Sequence, residues 1–262
     1  MIRSPLITVM VQAVRKAGRA LVRDFGEVEN LQVSLKGPAN FVSSADRKAE
    51  DTLFAELSRA RPGYGFTMEE RGRVEGTDPA NEWVVDPLDG TTNFLHGIPL
   101  FAISLALVRN GVPFAGVIFN PVSDELYVAE KGQGAYLNDR RLRVAARRKL
   151  SDSVVGCGIP HLGRGDHAKF QKELALVQSQ VAGVRRTGAA ALDLAWVAAG
   201  RFDGFWERDL SPWDMAAGVI LIREAGGYVS DLDGGDQSLD KGHIIAGNEV
   251  IREDLIKLLK KA

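Results

Sequence analysis

The chain has 262 residues, 33 Lys+Arg against 34 Asp+Glu and a formal charge of −1. With 45% apolar and 26% charged residues it has the make-up of an ordinary globular protein. No run approaches the roughly 18 apolar residues of a membrane span, and the near-zero charge argues against binding nucleic acid with the whole surface. The N-terminal residues carry charges through their apolar positions and do not read as a signal peptide. A single cysteine, Cys157, excludes an internal disulfide and fits a cytoplasmic location. Glycine is high, 28 of 262 or about 11% against a usual ~7%, so tight turns or close backbone approaches are expected.

Residues 4–25 read as an amphipathic helix, with Ile7, Met10, Val14, Ala17 and Leu21 at helical spacing and Gly26 as the stop. A second helix is expected from a Ser43 or Ser44 cap to about Arg59, with Leu53, Phe54 and Leu57 facing inward. From Trp83 the pattern changes to strands: 83–85, 101–108, 114–119, 125–129 and 135–137. Asn110-Gly111 marks the strongest hairpin turn. This predicts an antiparallel meander from about 83 to 145. The second half alternates helix and strand. Helices are expected at 166–181, 188–199, 213–225 and 249–261, and strands at 202–207, 228–230 and 243–246, with parallel connections. Arg147-Arg148-Lys149 reads as a solvated connector, dividing one compact unit into residues 1–148 and 149–262.

The most informative stretch is Asp86-Pro87-Leu88-Asp89-Gly90-Thr91 after the strand Trp83-Val84-Val85. Pro87 forces a turn, so two carboxylates three residues apart can converge on a hard cation such as Mg²⁺. Amides after Gly90 can face an anion. Alone, the segment reads equally as an Asx-rich surface turn, Glu69-Glu70 as a solvated acidic pair, and Asp214 as a cap favoured by the helix dipole.

Together, Glu69-Glu70, Asp86-Pro87-Leu88-Asp89-Gly90-Thr91 and Trp213-Asp214-Met215-Ala216-Ala217-Gly218 resemble, in order and spacing, the three signatures of the inositol monophosphatase family. The resemblance runs from about Lys36 to Asn248. It implies an α/β fold (α+β), a layered αβαβα sandwich of the sugar-phosphatase type shared with fructose-1,6-bisphosphatase. It also implies Mg²⁺-dependent, Li⁺-sensitive hydrolysis of a phosphate monoester by an activated water, and a homodimer. Carried over, Glu69, Asp86 and the Leu88 carbonyl would hold one ion. Asp86, Asp89 and Asp214 would hold a second, and a third, weaker ion would sit near Glu69. Thr91 and Glu69 would orient the water, and the amides near Gly90 and Thr91 would receive the phosphate. Glu207, Arg185, Gly188 and Ala189 would line the pocket of the leaving alcohol beside Asp214. Ala189 stands where a hydroxyl residue is often found, which puts one substrate contact in doubt. Lys36 and Asp46 fall where the family places a loop near the metals.

myo-Inositol 1-phosphate is the first-ranked substrate. Fructose 1,6-bisphosphate, 3′-phosphoadenosine 5′-phosphate and histidinol phosphate are the alternatives within the superfamily. His96, His161, His167 and His243 share no ligand spacing and read as structural or exposed, Cys157 as a small packing residue, and Trp196 and Trp213 as packing residues. The basic run Arg140, Arg141, Arg143, Arg147, Arg148 and Lys149 raises a different class of role, contact with RNA or the transcription machinery. No aromatics are interleaved there to stack bases, and a solvated edge explains the run as well.

Overall fold

The computed structural model describes residues 4–27, 33–37 and 40–262, with side chains for 4–27 and 43–262. Helices α1 (Pro5–Phe25) and α2 (Ser44–Ala60) flank a hairpin of β1 (Val33–Gly37) and β2 (Asn40–Ser43). An eight-stranded sheet follows, made of β3 (Tyr64–Met68), β4 (Gly72–Val74), β5 (Asp78–Asp89), β6 (Ala102–Arg109), β7 (Val112–Asn120), β8 (Glu125–Glu130), β9 (Gly134–Leu137) and β10 (Arg140–Arg141). The short helix α3 (Thr91–Leu95) leaves the end of β5. A five-stranded sheet contains β11 (Val154–Cys157), β12 (Gly183–Arg185), β13 (Gly204–Glu207), β14 (Tyr228–Ser230) and β15 (Ile244–Gly247). Around it lie α4 (His167–Gln178), α5 (Ala190–Ala198), α6 (Pro212–Glu224), α7 (Ser238–Lys241) and α8 (Glu249–Leu259).

The pleat of each strand assigns its side chains to two layers. In β6, Ile103, Leu105 and Leu107 pack with Ile7, Met10 and Val14 of α1. The alternate residues Ala102, Ala106 and Val108 pack with α5 and α6. The second sheet repeats the division: Ile244 and Ala246 of β15 face α5 and α6, whereas Ile245 joins Ile251 and Leu255 of α8. The result is five layers, αβαβα, as expected. It also explains why α5 and the middle of α6 are almost wholly apolar, since a helix segment between two sheets has no solvent face. Their hydrophobic cluster takes residues from both halves of the chain, including Ile118 and Tyr127 from the first and Phe205 and Val229 from the second.

Local signals set most boundaries. Ser4 caps α1 by accepting from the Ile7 amide at 3.1 Å, with Pro5 as its first residue. Ser43 and Asp46 form a capping box on α2. Asn110 and Gly111 take positive φ of 50° and 76° in the β6–β7 turn, the backbone that an Asn-Gly hairpin requires. The expected parallel connections hold only in part. β11 pairs in parallel with β12 and β13, but β15 runs antiparallel to both β13 and β14. Strands β3, β4, β11 and β12 were not expected from the sequence; they are three to five residues long and each carries glycine, so periodicity gives them no signal. The connector is also less solvated than its composition suggests. Arg147 Nε bonds the buried carboxylate of Asp203 at 2.6 Å, and Asn248 Nδ2 holds the Arg147 carbonyl at 2.7 Å. Among the described residues no helix is long and apolar enough to cross a membrane.

Candidate active site

The two sheets present strand ends to one cleft of about 450 Å³. β3 and β5 are parallel neighbours, with Met68 opposite Val85, so Glu69 and Asp86 emerge side by side at their carboxyl ends. The Glu69 amide donates to the Val85 carbonyl at 3.3 Å. In a regular strand Asp86 and Asp89 would point to opposite faces. Pairing with β6 slips between them: Asp86 lies opposite Ser104 and Asp89 opposite Ala102, so Pro87 and Leu88 together span the place of Ile103. This bulge at a residue with no amide hydrogen turns both carboxylates to the face of α5 and α6. There α6 supplies Asp214 from its first turn, and Ser104 Oγ of β6 fixes that end of the helix by donating to the Trp213 carbonyl at 2.9 Å. Asp86, Asp89 and Asp214 each bring a carboxylate oxygen within 4.8 Å of the others.

Backbone amides hold these acids in place. Leu88 N donates to Asp86 Oδ1 (2.8 Å), Ala191 N to Asp89 Oδ2 (2.7 Å) and Ser211 N to Asp214 Oδ2 (2.8 Å). Amides orient the carboxylates without cancelling their charge. Burial first, then repulsion from Glu69, Asp89 and Asp214, holds the Asp86 carboxyl well above the usual range. Asp89 is raised likewise by burial and by Asp214. Asp214 is raised by burial against the opposing pull of the Ser211 amide and Arg164. An oxygen-rich cluster that repels itself suits a hard divalent cation. Thr91 Oγ1 lies 3.0 Å from Asp46 Oδ1 and 3.1 Å from the Leu88 carbonyl, either of which can accept its one proton. Gly90 has φ of 92°, and a Cβ there would meet the Leu100 carbonyl at 3.0 Å and Ala189 Cβ at 3.2 Å, so only glycine lets the Asp86–Gly90 turn lie this close to the turn before α5.

The opposite wall comes from the second sheet. β11 and β13 are parallel, and Glu207 at the end of β13 lies over Gly158 just beyond β11, where any Cβ would collide with the Glu207 carboxyl carbon at 1.9 Å. Burial, then Asp193 and Asp214, pushes Glu207 up to about 8 against Arg164 and Arg186. Cys157 lies on the cleft floor, its thiol pushed up to about 12 by burial and then by Asp193 and Glu207, so it stays neutral.

Residues 2–262 match the inositol monophosphatase family. The chain belongs to that family. It is 69% identical over 261 residues to the inositol-1-monophosphatase of Mesorhizobium japonicum, covering 100% of this chain and 98% of that protein. It is 44% identical over 248 residues to the Nus factor SuhB of Pseudomonas aeruginosa, covering 93% and 92%. The crystal structure of the extragenic suppressor protein suhB from Bartonella henselae superposes with a TM-score of 0.97 at 59% identity, covering 99% of this chain and 100% of that one. The protein is therefore an enzyme of the family, a phosphatase.

Against the family expectation, Glu69, Asp86, Leu88, Asp89, Gly90, Thr91, Gly188, Ala189, Glu207 and Asp214 all line the cleft. Arg185 does not; it is exposed at the end of β12 with Nη1 donating to the Val184 carbonyl. The next residue, Arg186, points the other way and lines the cleft, because successive side chains at a strand end alternate. Lys36 lies in β1, and its side chain is outside the described residues. His161, which spacing sets aside, is part of the cleft wall. His96 and His167 are exposed, and His243 Nδ1 accepts from the Asp209 amide at 3.2 Å. Trp196 is partly buried, packing edge-on to Phe202, and Trp213 is partly buried beside the α5–α6 cluster.

Sequence reasoning passed over Arg164, Asp193 and Gly158, which line the same cleft, and Glu50, whose Oε2 accepts from the Glu70 amide at 2.8 Å. A charged residue inside the apolar segment 190–198 was the available signal for Asp193.

Proposed function

We propose that this phosphatase is Mg²⁺-dependent and acts on myo-inositol 1-phosphate, releasing inositol and phosphate. The observation that carries this reading is the convergence of Asp86, Asp89 and Asp214 within 4.8 Å with carboxyls raised by burial and mutual repulsion. Their all-oxygen donor set fits Mg²⁺. Glu69, Asp86 and the Leu88 carbonyl would hold one ion and Asp86, Asp89 and Asp214 a second, with Glu69 beside a third, weaker position. When bound, the ions reverse the charge of the cleft toward a phosphate dianion and make an attacking water more acidic.

The chain's own groups do the rest. Asp46 can take the Thr91 proton into a hydrogen bond, which leaves the Thr91 oxygen to accept from the attacking water, with Glu69 as its second orienting group. The Gly90 and Thr91 amides receive phosphate oxygens. Glu207 accepts from hydroxyls of the alcohol, and Gly188 and Ala189 shape its pocket. Ala189 is buried against Gly90 and brings no hydroxyl, which favours a relaxed choice among polyol phosphates.

Phosphate release from inositol 1-phosphate, compared with fructose 1,6-bisphosphate, 3′-phosphoadenosine 5′-phosphate and histidinol phosphate across a Mg²⁺ titration, tests the reading. The highest kcat/KM is expected for inositol 1-phosphate, with inhibition by Li⁺. Full turnover with Mg²⁺ chelated would refute the mechanism. A homodimer in the cytoplasm fits this reading, and light scattering on the purified chain would measure the former.

A second reading, contact with RNA or the transcription machinery, is favoured by one feature together with the name of the Pseudomonas relative. Arg140, Arg141, Arg143, Arg148 and Lys149 are all exposed. Arg147 is committed to Asp203, so the test is charge reversal at Arg143, Arg148 and Lys149. Salt-dependent RNA binding that survives the reversal would end this idea.

A further inference from the structure

We propose that Asp193 is a positioning residue for the alcohol side of the cleft, holding the 186–189 turn in the shape that receives the leaving polyol. The inference rests on the phosphatase reading above. Helix α5 reads Ala-Ala-Leu-Asp-Leu-Ala-Trp-Val-Ala, with Asp193 as its one charged side chain. The helix lies between the two sheets, and Asp193 is 1% exposed, with Oδ1 buried and without a hydrogen-bond partner. Burying a carboxylate with one oxygen unsatisfied costs free energy that an apolar residue at the same position would not. Such a charge on a cleft wall points to function.

Its contacts show what it holds. The Asp193 amide donates to the Ala189 carbonyl at 3.1 Å, and its carboxyl lies within electrostatic reach of the Thr187 hydroxyl and of Arg186. Thr187 Oγ1 donates to the Ala189 carbonyl at 3.2 Å and accepts from the Ala189 amide at 3.3 Å, so the hydroxyl beside Asp193 closes the turn. From the metal side, Asn93 Nδ2 donates to the Thr187 carbonyl at 2.8 Å. Between these clamps Gly188 takes φ of 84°, and a Cβ there would meet the Asn93 amide at 3.1 Å and Arg186 Nη1 at 3.3 Å. The Arg186 guanidinium therefore lies across the turn, inside the cleft. Removing the Asp193 carboxyl loosens buried Thr187 and, through it, Arg186 and Gly188 of the cleft wall, while Asn93 and the metal acids keep their bonds.

The test compares wild type, Asp193→Ala, Asp193→Asn and Thr187→Val with Mg²⁺ on two substrates. One is inositol 1-phosphate and the other is p-nitrophenyl phosphate, whose leaving group carries no polyol hydroxyls. Inhibition by inorganic phosphate reads the metal side separately. In Asp193→Ala, KM for the polyol ester should rise about 10-fold, and the polyol-to-aryl ratio of kcat/KM should fall about as much, the scale of one lost substrate-side hydrogen bond. Phosphate inhibition should move less than about twofold. Asp193→Asn, which keeps the size and polarity of the side chain beside Thr187, should recover most of the ratio, and Thr187→Val should lower it in the same direction. Equal proportional losses on both esters, or a ratio that moves less than about twofold in all three variants, would overturn the proposal. If Asp193→Ala does not fold, the Asn and Val variants carry the same comparison. A wild-type enzyme that cleaves neither ester defeats the phosphatase reading itself, before any variant is made.

Discussion

Two sets of buried carboxylates are held in opposite ways in this protein. Asp203, Glu173 and Asp231 lie in the second half, each with a side-chain cation: Arg147 Nε at 2.6 Å, Arg208 Nε at 3.0 Å and Lys241 Nζ at 2.8 Å. Burial works against ionising Asp231, yet Lys241 and the Gly235 and Asp233 amides bring it below the usual carboxylate range. Asp86, Asp89 and Asp214 are instead held by single backbone amides, and all three are raised. The first set is structure that has already been neutralised. The second is left unneutralised, at a cost in stability, as the proposed cation site requires.

Four experiments can break or sharpen that contrast. Asp86→Asn carries the largest expected effect, a loss of about 10³-fold or more in kcat/KM, since several kcal/mol of charge stabilisation disappear. Circular dichroism should show the fold retained, and a variant with wild-type turnover would put the site elsewhere. Next, Arg147→Ala should cost about 2–3 kcal/mol in urea unfolding, because it strands a buried carboxylate, while kcat changes less than about twofold. An equal loss from Asp86→Asn in metal-free protein would erase the distinction between the two sets.

Third, metal and pH should act together on the cleft acids. Glu207 holds its proton to about 8 when folded but releases it near 4.5 when unfolded. The unfolded chain therefore binds fewer protons in that window, and metal-free stability should fall as pH rises through it. Mg²⁺ at a hundred times its Kd should add about 2.7 kcal/mol, with the larger Tm gain at the high end of the window. A Tm that rises with pH in chelator would contradict this. The smallest effect is Ser104→Ala, which removes one hydrogen bond to the Trp213 carbonyl. It should cost about 1 kcal/mol and a few-fold in kcat by loosening Asp214, as seen in parallel melting and turnover assays.

Much of this was legible in the residues because the signals were local. The serine cap of α2, the Asn110-Gly111 hairpin and the Pro87 turn each follow from a few neighbours in sequence, whereas the part of Asp46 in that cap does not. Strands β3, β11 and β12 were not legible, since their length and glycines leave no periodicity and only their partners define them. The choice between Arg185 and Arg186 also escaped, because adjacent residues at a strand end face opposite sides and composition cannot say which side is the cleft.

The sequence by itself singled out which acids could act together: Glu69, Asp86, Asp89 and Asp214 occur in three motifs whose order and spacing resemble the inositol monophosphatase signatures, and that resemblance implies a cation site. Only the tertiary structure decided that Asp86 and Asp89 share a face, through a bulge against β6. It alone decided that Arg147 neutralises a buried acid while Asp193 does not receive such a partner among the described ion pairs. The physical reason is the same in each case. Charge and conformational preference belong to the residue, whereas burial and pairing depend on what distant segments bring beside it.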